Sequence, residues 1–362
     1  MLLVVNAGSS SLKLAVFDRA LTEVAQARFE GIRSEEDHLT ALKDGLAQMG
    51  LPMTALKGAA HRVVHGGAAL TAPCRITPAT RAAIQDCLPL APLHNPANLR
   101  GITAIARLAP DLPQYASFDT AFHATNPRLA TTYALPLAER DLGLRRYGFH
   151  GLSYAALVRA VQEMAPDIPK SRLLALHLGN GASLCAIQDG VSVATTMGYS
   201  PVGGLTMGTR AGEVDATAVL HLADRHGIVG AASLLNHQSG LLALGGAADM
   251  RALHAAATPE ATFAIDHFCY WAIRHAGAMI AAMGGLDAVA FTGGIGENDA
   301  VVRARIVAGL AFLGAVLNPD ANAKNAPVLH EPGSRVAIWT VPAQEERQIA
   351  HEALQIMKAA RA

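Results

Sequence analysis

The sequence predicts two related α/β domains with a ligand site in the cleft between them. A chain of 362 residues is too long for one ordinary hydrophobic core, so two domains are expected. An apolar strand followed by a turn of small residues opens the chain, and the same arrangement returns at 173–183. The stretch Ser11–Asp18 resembles Ser183–Asp189 with one gap, which indicates a duplicated unit. Chance similarity of two hairpins is the alternative, because the match is short.

Short apolar or alternating segments between turn residues predict the elements of the first half. The predicted strands are Leu2–Val5, Leu14–Phe17, Thr22–Phe29, Ala59–Val64 and Tyr115–Asp119. The predicted helices are Glu35–Gln48, Pro78–Leu88 and Pro96–Leu108. Because proline suits the first turn of a helix, Thr77 and Asn95 are the expected N-caps.

The second half repeats the pattern of strands and turns. Its predicted strands are Leu173–Leu178, Leu184–Ile187, Val191–Thr195 and Ala288–Phe291. A helix is expected from Asp299, and a last helix over Glu345–Ala359. No Gly/Ser linker separates the halves, so the boundary is expected at Thr125–Pro127. The predicted domains are therefore 1–124 with about 347–362, and 125–346.

Composition excludes several classes of partner. Lys+Arg and Asp+Glu both number 29, so the chain has no general field to attract nucleic acid or an anionic membrane. The apolar stretch Ala276–Leu286 is too short to span a bilayer, and Met1–Val5 reads as a strand rather than a signal peptide. The 4 cysteines form no CxxC pair, which favours reduced core residues in a cytoplasmic protein.

Three turns rich in small residues follow predicted strands: Asn6–Lys13, Gly179–Ser183 and Gly293–Asn298. Small residues let a backbone approach a phosphate closely. A tight hairpin explains one such turn equally well, but three at strand ends indicate phosphate binding. The chain lacks both the P-loop motif and GxGxxG, so neither a P-loop nor a Rossmann site is expected. The SxxK match at Ser10–Lys13 lacks the accompanying SDN and KTG motifs of penicillin-binding proteins.

Two arginines lie in glycine-rich settings, Arg62 before His65-Gly66-Gly67 and Arg210 in Met207–Gly212. An arginine on a surface loop is usually only solvated, but two such guanidinium groups could clamp a phosphoryl group. His61 and His65 lie on a predicted strand without an HExxH glutamate, so a metal is not expected there. Residue chemistry alone therefore indicates a phosphate-handling enzyme of two domains.

Together these segments resemble the acetate kinase family, within the larger group of sugar kinases, actin and heat-shock ATPases. The matching motifs are Asn6–Lys13, His61–Gly67, Pro92–Asn98, Phe118–His123, Tyr147–Gly151, His177–Gly181, Met207–Arg210 and Phe291–Asn298. The resemblance implies two duplicated actin-like, ribonuclease H-like domains, with the last helix on the first domain. It also implies reversible transfer of the γ-phosphoryl group of ATP to acetate, giving acetyl phosphate and ADP. Mg²⁺ would be required, Mn²⁺ could replace it, and the enzyme would be a homodimer.

By the same resemblance, a set of polar residues would carry the reaction: Asp119, Arg62, Arg210 and His150, with support from His94 and His177. The arginines would hold the carboxylate and the migrating phosphoryl group, and Asp119 would place them. His150 would hydrogen-bond the phosphoryl oxygens. Positioning and charge neutralisation supply most of the rate in such transfers. Asn6 and Glu345 would position Mg²⁺, largely through water.

The resemblance also implies the binding sites. Nucleotide would contact Ser9, Ser11, Lys13, His177, Leu178, Gly179, Asn180, Gly181, Asp249, Met250, Arg251, Gly294, Ile295, Gly296 and Asn298. Of the substrate-binding residues, Arg62 would hold the carboxylate, and the methyl group would lie among Val64, Leu93, Phe149 and Pro201. Valine at position 64 favours acetate first and propionate second, since one methylene in such a pocket is worth only about 1–3 kcal/mol.

Three features depart from the family pattern. The segment 18–61 is short, and Tyr154 replaces a histidine, which we expect to leave activity intact. Pro342–Glu346 replaces the usual Thr-Asn-Glu-Glu, and we take Glu345 rather than Glu346 as the metal residue. The alternatives are a propionate or butyrate kinase of the same family and a non-catalytic, actin-like nucleotide-binding protein. The latter has no need of two arginines and His150 around a carboxylate-sized pocket.

Overall fold

The computed structural model describes residues 1–8, 10–166 and 171–360, and the chain divides into two compact units. Unit 1 comprises Met1–Ala124, Gly151–Ala156 and the chain from Gln344 onward. Unit 2 comprises Thr125–His150 and Leu157–Ala343. The assignment of 1–124 with about 347–362, and of 125–346, to two domains remains a prediction.

Unit 1 contains a six-stranded sheet in the order β3-β2-β1-β4-β6-β5. Its strands are β1 (Leu2–Ala7), β2 (Ser11–Phe17), β3 (Glu23–Glu30), β4 (Gly58–Val63), β5 (Cys74–Arg75) and β6 (Gln114–Phe118). β1, β2 and β3 form an antiparallel meander, whereas β1, β4 and β6 run parallel. The carboxyl ends of β1, β4 and β6 therefore lie at one edge of the sheet, where ligands of α/β folds bind.

Helices cover both faces of this sheet: α1 (Glu35–Gln48), α2 (Pro78–Asp86), α3 (Asn95–Leu108) and α14 (Glu345–Ala359). Successive residues of β1 point to opposite faces. Leu3 and Val5 pack in the core beneath α1 and α3, while Leu2 and Val4 pack with Ile349 of α14. β1 is thus buried on both faces, as its continuous apolar run indicates.

Unit 2 contains a five-stranded sheet in the order β11-β10-β7-β8-β9. Its strands are β7 (Arg172–Leu178), β8 (Ala182–Gln188), β9 (Val191–Thr195), β10 (Ala288–Thr292) and β11 (Ala337–Thr340). β7, β8 and β9 form an antiparallel meander, and β7, β10 and β11 run parallel. This is the connectivity of unit 1 again. The predicted fold class of two duplicated α/β units is therefore confirmed.

The remaining helices are α4 (Arg128–Thr131), α5 (Leu137–Asp141), α6 (Gly151–Met164), α7 (Ala216–His237), α8 (Gly240–Gly245), α9 (Met250–Ala256), α10 (Pro259–Met283), α11 (Gly293–Asn298), α12 (Ala300–Ala308) and α13 (Pro319–Ala323). The apolar stretch Ala276–Leu286 begins in the last turns of α10, which stops at Met283. Among the described residues, no helix combines the length and apolar character needed to cross a bilayer.

The predicted N-cap of α3 was wrong, whereas the helix expected from Asp299 is confirmed as α12. The N-cap of α3 is His94, which makes no side-chain cap hydrogen bond, because the side chain of Asn95 binds the backbone of His65 instead. The helix expected from Asp299 is preceded by another, since the glycine-rich segment Gly293–Asn298 is itself α11. Asp299 then caps α12 by accepting hydrogen bonds from two backbone amides.

Two histidines beside the parallel edge of unit 1 are buried in neutral form. Burial lowers the pKa of His61 to about 4 and that of His65 to about 4. His61 Nε2 lies 2.8 Å from Gln114 Oε1, and the Gly67 amide donates to His65 Nδ1 at 2.9 Å. Protonation of His65 would disrupt the second contact, since that nitrogen acts as an acceptor.

We predict that acid destabilises the protein through these histidines. Both folded pKa values lie below the unfolded value, so the stabilisation is complete above about pH 6.5 and declines as the pH falls toward 4. Each histidine then contributes a slope of up to about 1.4 kcal/mol per pH unit. When the free energy of unfolding is measured by urea between pH 7 and pH 4.5, it should fall less steeply with decreasing pH in His61→Gln than in wild type. The same change at exposed His226 is the control, and equal slopes for wild type and His61→Gln would contradict the assignment.

Candidate active site

The parallel edge of unit 1 brings Asn6, Arg62 and Asp119 together at the ends of β1, β4 and β6. Arg62 Nε lies 3.0 Å from Asp119 Oδ1, and Nη2 lies 2.6 Å from Oδ2. This is a two-pronged, charge-assisted pair, which fixes the plane of the guanidinium. The third nitrogen, Nη1, lies 3.4 Å from Asn6 Oδ1. Asp119 is buried, so the pair is a rigid part of the edge.

Two further carboxylates, Glu345 and Glu346, open helix α14 at the same edge. Asn6 Nδ2 donates to Glu346 Oε1 at 3.0 Å. Burial raises the pKa of Glu345. The negative charges of Asp119 and Glu346 raise this pKa further, whereas the positive charges of Arg62 and Lys13 lower it. Burial alone would lower the pKa of Arg62, but Asp119, Glu345 and Glu346 outweigh it and raise that pKa. The cluster is therefore rich in oxygen ligands and favours an added cation.

Two asparagines, Asn95 and Asn98, hold the neighbouring loops. The sequence predicts Asn95 only as a helix cap and assigns no role to Asn98. Asn98 Oδ1 accepts the Val64 amide at 3.0 Å, and Asn98 Nδ2 donates to the Ala7 carbonyl at 2.7 Å. Asn95 accepts from the amide of His65 at 3.1 Å and donates to its carbonyl at 3.0 Å. Their spacing of three residues places both on one face of the first turn of α3, which is the signal that could have found them.

The other predicted residues of unit 1 differ in exposure. Val64 is buried, Leu93 is 46% exposed, and His94 is half-buried at the start of α3. Lys13 is exposed and Ser11 half-buried on β2, while Ser9 lies outside the described residues. Tyr154, the departure from the family pattern, is fully buried with its ring 5.7 Å from that of His123.

In unit 2, His150 and His177 stack beside the turn between β7 and β8. Their ring centroids are 4.1 Å apart with planes at 22°, and His150 Nδ1 lies 2.9 Å from Ser183 Oγ. His150 has φ of 59°, a left-handed conformation that is uncommon outside glycine. A Cβ added at Gly181 would lie 3.1 Å from His150 Nε2. The backbone of the turn at Gly181 therefore lies directly against the imidazole ring of His150.

Arg210 reaches the same turn from the loop before α7. Its Nη1 lies 3.2 Å from the Pro201 carbonyl and would be 3.6 Å from a Cβ at Gly181. The amide of Gly208 donates to the Asn180 carbonyl at 3.0 Å, which ties this loop to the turn. Unit 2 thus gathers Arg210, His150 and His177 around Gly181. Of the two predicted methyl-pocket residues here, Phe149 is buried and Pro201 half-buried.

A cavity of about 1000 Å³ opens in unit 2 beside α9 and α11. Eight of the residues predicted to bind nucleotide line it: Gly179, Asn180, Asp249, Met250, Arg251, Gly294, Ile295 and Asn298. Six further lining residues were not predicted: Ala248, His254, Ala255, Asp299, Ala300 and Val301. Its volume is at the upper end of the range for sites of small molecules and cofactors.

Besides Ser11 and Lys13 of unit 1, four predicted nucleotide residues of unit 2 lie outside the cavity lining. Gly181 lies beside the imidazole of His150, and His177 stacks on that same ring. Leu178 is fully buried in β7, and Gly296 is buried on the inner side of α11. The residues predicted to bind nucleotide in unit 2 are therefore divided between the cavity wall and the turn at Gly181.

An ion pair and a histidine–carboxylate contact stand on the cavity wall. Arg251 donates to both oxygens of Asp249, at 3.1 and 2.6 Å, and this contact lowers the pKa of Asp249 to about 2. His254 Nε2 lies 2.8 Å from Asp299 Oδ2. The wall is thus polar and charged at its rim, where water competes for these groups.

Arg303 holds α11 from within the core. Its guanidinium donates to the Gly296 carbonyl at 2.9 Å, to Asn322 Oδ1 and O at 2.8 Å each, and to Asn325 Oδ1 at 2.6 Å. The side chain is fully buried, and burial lowers its pKa. In the part of the chain that the structure describes, no carboxylate forms an ion pair with it. Neutral oxygens alone satisfy this cation.

Comparison with known proteins finds similarity along the whole chain. A family model described as the acetokinase family matches residues 48–351. An acetate kinase of Methylocella silvestris is 40% identical over 97% of this chain and 96% of its own. The crystal structure of an acetate kinase from Porphyromonas gingivalis has a TM-score of 0.92 at 34% identity, covering 98% of this chain and 99% of that one. A propionate kinase from Francisella tularensis has a TM-score of 0.90 at 33% identity, covering 97% and 98%.

We predict that Arg303→Met lowers the free energy of unfolding by about 3 kcal/mol or more, because it leaves several buried oxygens without donors. Urea unfolding at pH 7 measures the change. Arg172→Met is the matched control, since Arg172 pairs with Asp287 at the opposite end of β10 in a partly exposed position. A loss at Arg303 no larger than that at Arg172 would contradict the role of Arg303 as a buried clamp.

Proposed function

The chain belongs to the acetokinase family, and we propose that it catalyses reversible phosphoryl transfer between ATP and acetate, giving ADP and acetyl phosphate. The observation that carries this proposal is the pair of arginine sites. Arg62 is held by Asp119 beside two further carboxylates, and Arg210 lies beside a phosphate-type turn and a histidine pair. Such groups suit a carboxylate nucleophile and a migrating phosphoryl group.

The reaction needs little proton chemistry. An acetate oxygen attacks the γ-phosphorus in line, and the bond from that phosphorus to the β–γ bridging oxygen breaks with its electron pair leaving on ADP. Acetate is already ionised at neutral pH, so no general base is required. We propose that Arg62 and Arg210 bind the acetate and the phosphoryl oxygens, and that Asp119 orients them. His150, supported by His177 and His94, donates to the equatorial oxygens.

The acidic edge of unit 1 fits a divalent cation. Asn6, Glu345 and Glu346 offer oxygens, and burial, together with the neighbouring carboxylates, raises the pKa of Glu345. Among the described residues, no three His, Cys, Asp or Glu side chains form a ready-made metal cage. Mg²⁺ suits such a site because it keeps several waters and binds through few protein groups. We propose Mg²⁺ here, with Mn²⁺ as substitute, neutralising charge on the phosphates when bound.

The cavity in unit 2 is the proposed site of the nucleoside. Asp249, Met250, Arg251, Ile295 and Asn298 would contact the base and ribose, since all five line the cavity. Phosphates would extend to the backbone of the glycine turns. The residues proposed to contact phosphate are Ser9, Ser11, Lys13, His177, Leu178, Gly179, Asn180, Gly181, Gly294 and Gly296.

We also propose a homodimer in the cytoplasm. Unit 2 exposes large apolar side chains on α7 and α10, among them Leu220, Ile228, Val229 and Tyr270. Exposed apolar surface of this kind marks interfaces between proteins, and a second copy of the chain is the proposed partner.

Replacing either arginine tests the proposed reaction. We expect Arg62→Ala and Arg210→Ala each to lower kcat by about 100-fold or more, because each removes charge at the reacting group. Trapping of acetyl phosphate with hydroxylamine, in the presence of ATP, Mg²⁺ and acetate, measures the product. Arg107→Ala is the control, as Arg107 is an exposed residue paired with Glu35 and Glu36. Absence of acyl phosphate from the wild type with any short acid would overturn the proposal.

Replacing Val64 tests which short carboxylic acid the enzyme prefers. The structural similarity to a propionate kinase makes propionate the second candidate substrate. A shorter side chain makes room for one more methylene, so Val64→Ala should raise the propionate-to-acetate ratio of kcat/KM by about ten-fold. The control is Val63→Ala, since Val63 is buried away from the loop against Ile84, Ile102 and Phe118. An unchanged ratio in Val64→Ala would remove Val64 from the substrate pocket.

A further inference from the structure

Helix α11 presents Gly294, Ile295 and Asn298 to the nucleotide cavity, but Glu297 is not among the residues that line it. Glu297 Oε1 accepts the Gly293 amide at 3.0 Å and the Ala343 amide at 2.9 Å. One carboxylate oxygen therefore joins two segments that are about fifty residues apart in the chain.

The first of these bonds compensates for a weak helix start. Gly293 has φ of +81° and a Cβ there would lie 2.8 Å from the Leu178 carbonyl, so the chain turns sharply at this point. Thr292, the N-cap of α11, makes no side-chain cap hydrogen bond. The first amides of a helix lack partners within the helix. Glu297 supplies one from the next turn and so fixes the orientation of α11.

The second bond holds the chain just before α14. Ala343 is the last residue of unit 2, and Glu345 and Glu346 follow as the first residues of α14. Glu297 therefore links α11 to the segment that leads directly into the proposed metal residues. Further along α11, Arg303 donates to the Gly296 carbonyl, so the helix is tied to the core at a second point.

From this connection we infer that Glu297 is a positioning residue that couples nucleotide binding at α11 to metal binding at the start of α14. The inference rests on the proposed function for the identity of the two ligands. Glu297 is not proposed to contact either the nucleotide or the metal. Its carboxylate acts by holding the segment just before Glu345 to the start of α11, as partners behind the ligands of a metal site commonly do.

Equilibrium binding of ATP to the full-length protein, with and without Mg²⁺, tests the coupling by calorimetry. We expect Mg²⁺ to tighten ATP binding in the wild type, and Glu297→Ala to reduce that enhancement by about ten-fold. The concentration of Mg²⁺ for half-maximal activity should rise in parallel, with KM for acetate unchanged. Glu297→Gln keeps an oxygen that can accept both amides, so it should restore most of the enhancement. A merely structural role would lower stability without this selective effect.

Asp215→Ala is the matched control. Asp215 also accepts two backbone amides, at the start of α7, and its loss should leave the Mg²⁺ enhancement unchanged. If Glu297→Ala fails to fold, Glu297→Asp replaces it, because the shorter side chain cannot span both amides. An enhancement equal to wild type in the folded variant would overturn the coupling, and so would a weakening of ATP binding that is the same with and without Mg²⁺. A wild type that shows the coupling but makes no acetyl phosphate would instead overturn the proposed function.

Discussion

The parallel pairing of β1 with β4 and of β7 with β10 places nearly every polar group of interest. Parallel neighbours end at one edge of a sheet, and backbone amides and side chains just beyond that edge converge. Asn6, Arg62 and Asp119 meet at such an edge in unit 1. In unit 2 the turn after β7 and the start of α11 after β10 meet in the same way, since a Cβ at Gly179 would lie 3.9 Å from the Gly294 amide.

The two units use this edge differently. In unit 1 the turn after β1 leads to Lys13, and the edge collects a guanidinium with three carboxylates. In unit 2 the matching turn has no cation of its own, and the charge comes from Arg210 on a separate loop and from the stacked histidines. A duplicated scaffold thus carries one edge suited to a cation and a carboxylate, and another suited to phosphate. The chemical difference lies in the loops, as is general for functions built on shared folds.

Charges buried behind these edges give them rigidity. Arg62 is paired with Asp119, whereas Arg303 is surrounded only by neutral oxygens among the described residues. Removing one partner from such a network leaves a buried polar group unsatisfied, which costs more than the bond itself contributes. Asn98 extends the same principle to neutral groups by tying Val64 and Ala7 together. Arg303 and Asn98 thus fix the backbone of the two units from positions that are not proposed to contact a ligand.

The sequence by itself determined the meander and the central parallel strands of both sheets, the helices α1, α2, α3 and α14, and the duplication, because burial on both faces gives continuous apolar runs and caps mark helix ends. It did not predict the edge strands β5 and β11 or the long helix α7. Small residues and arginines at strand ends are a local signal, and the resemblance to the acetate kinase family supplied the other residues proposed at the two edges. Only the tertiary structure decided that Asn95 binds the backbone of His65 rather than capping α3, and that Gly293–Asn298 is helical. The roles of Glu297 and Arg303 likewise depend on partners such as Ala343 and Asn322. Hydrogen bonds between residues distant in the chain follow from how the elements pack, and no local pattern specifies them.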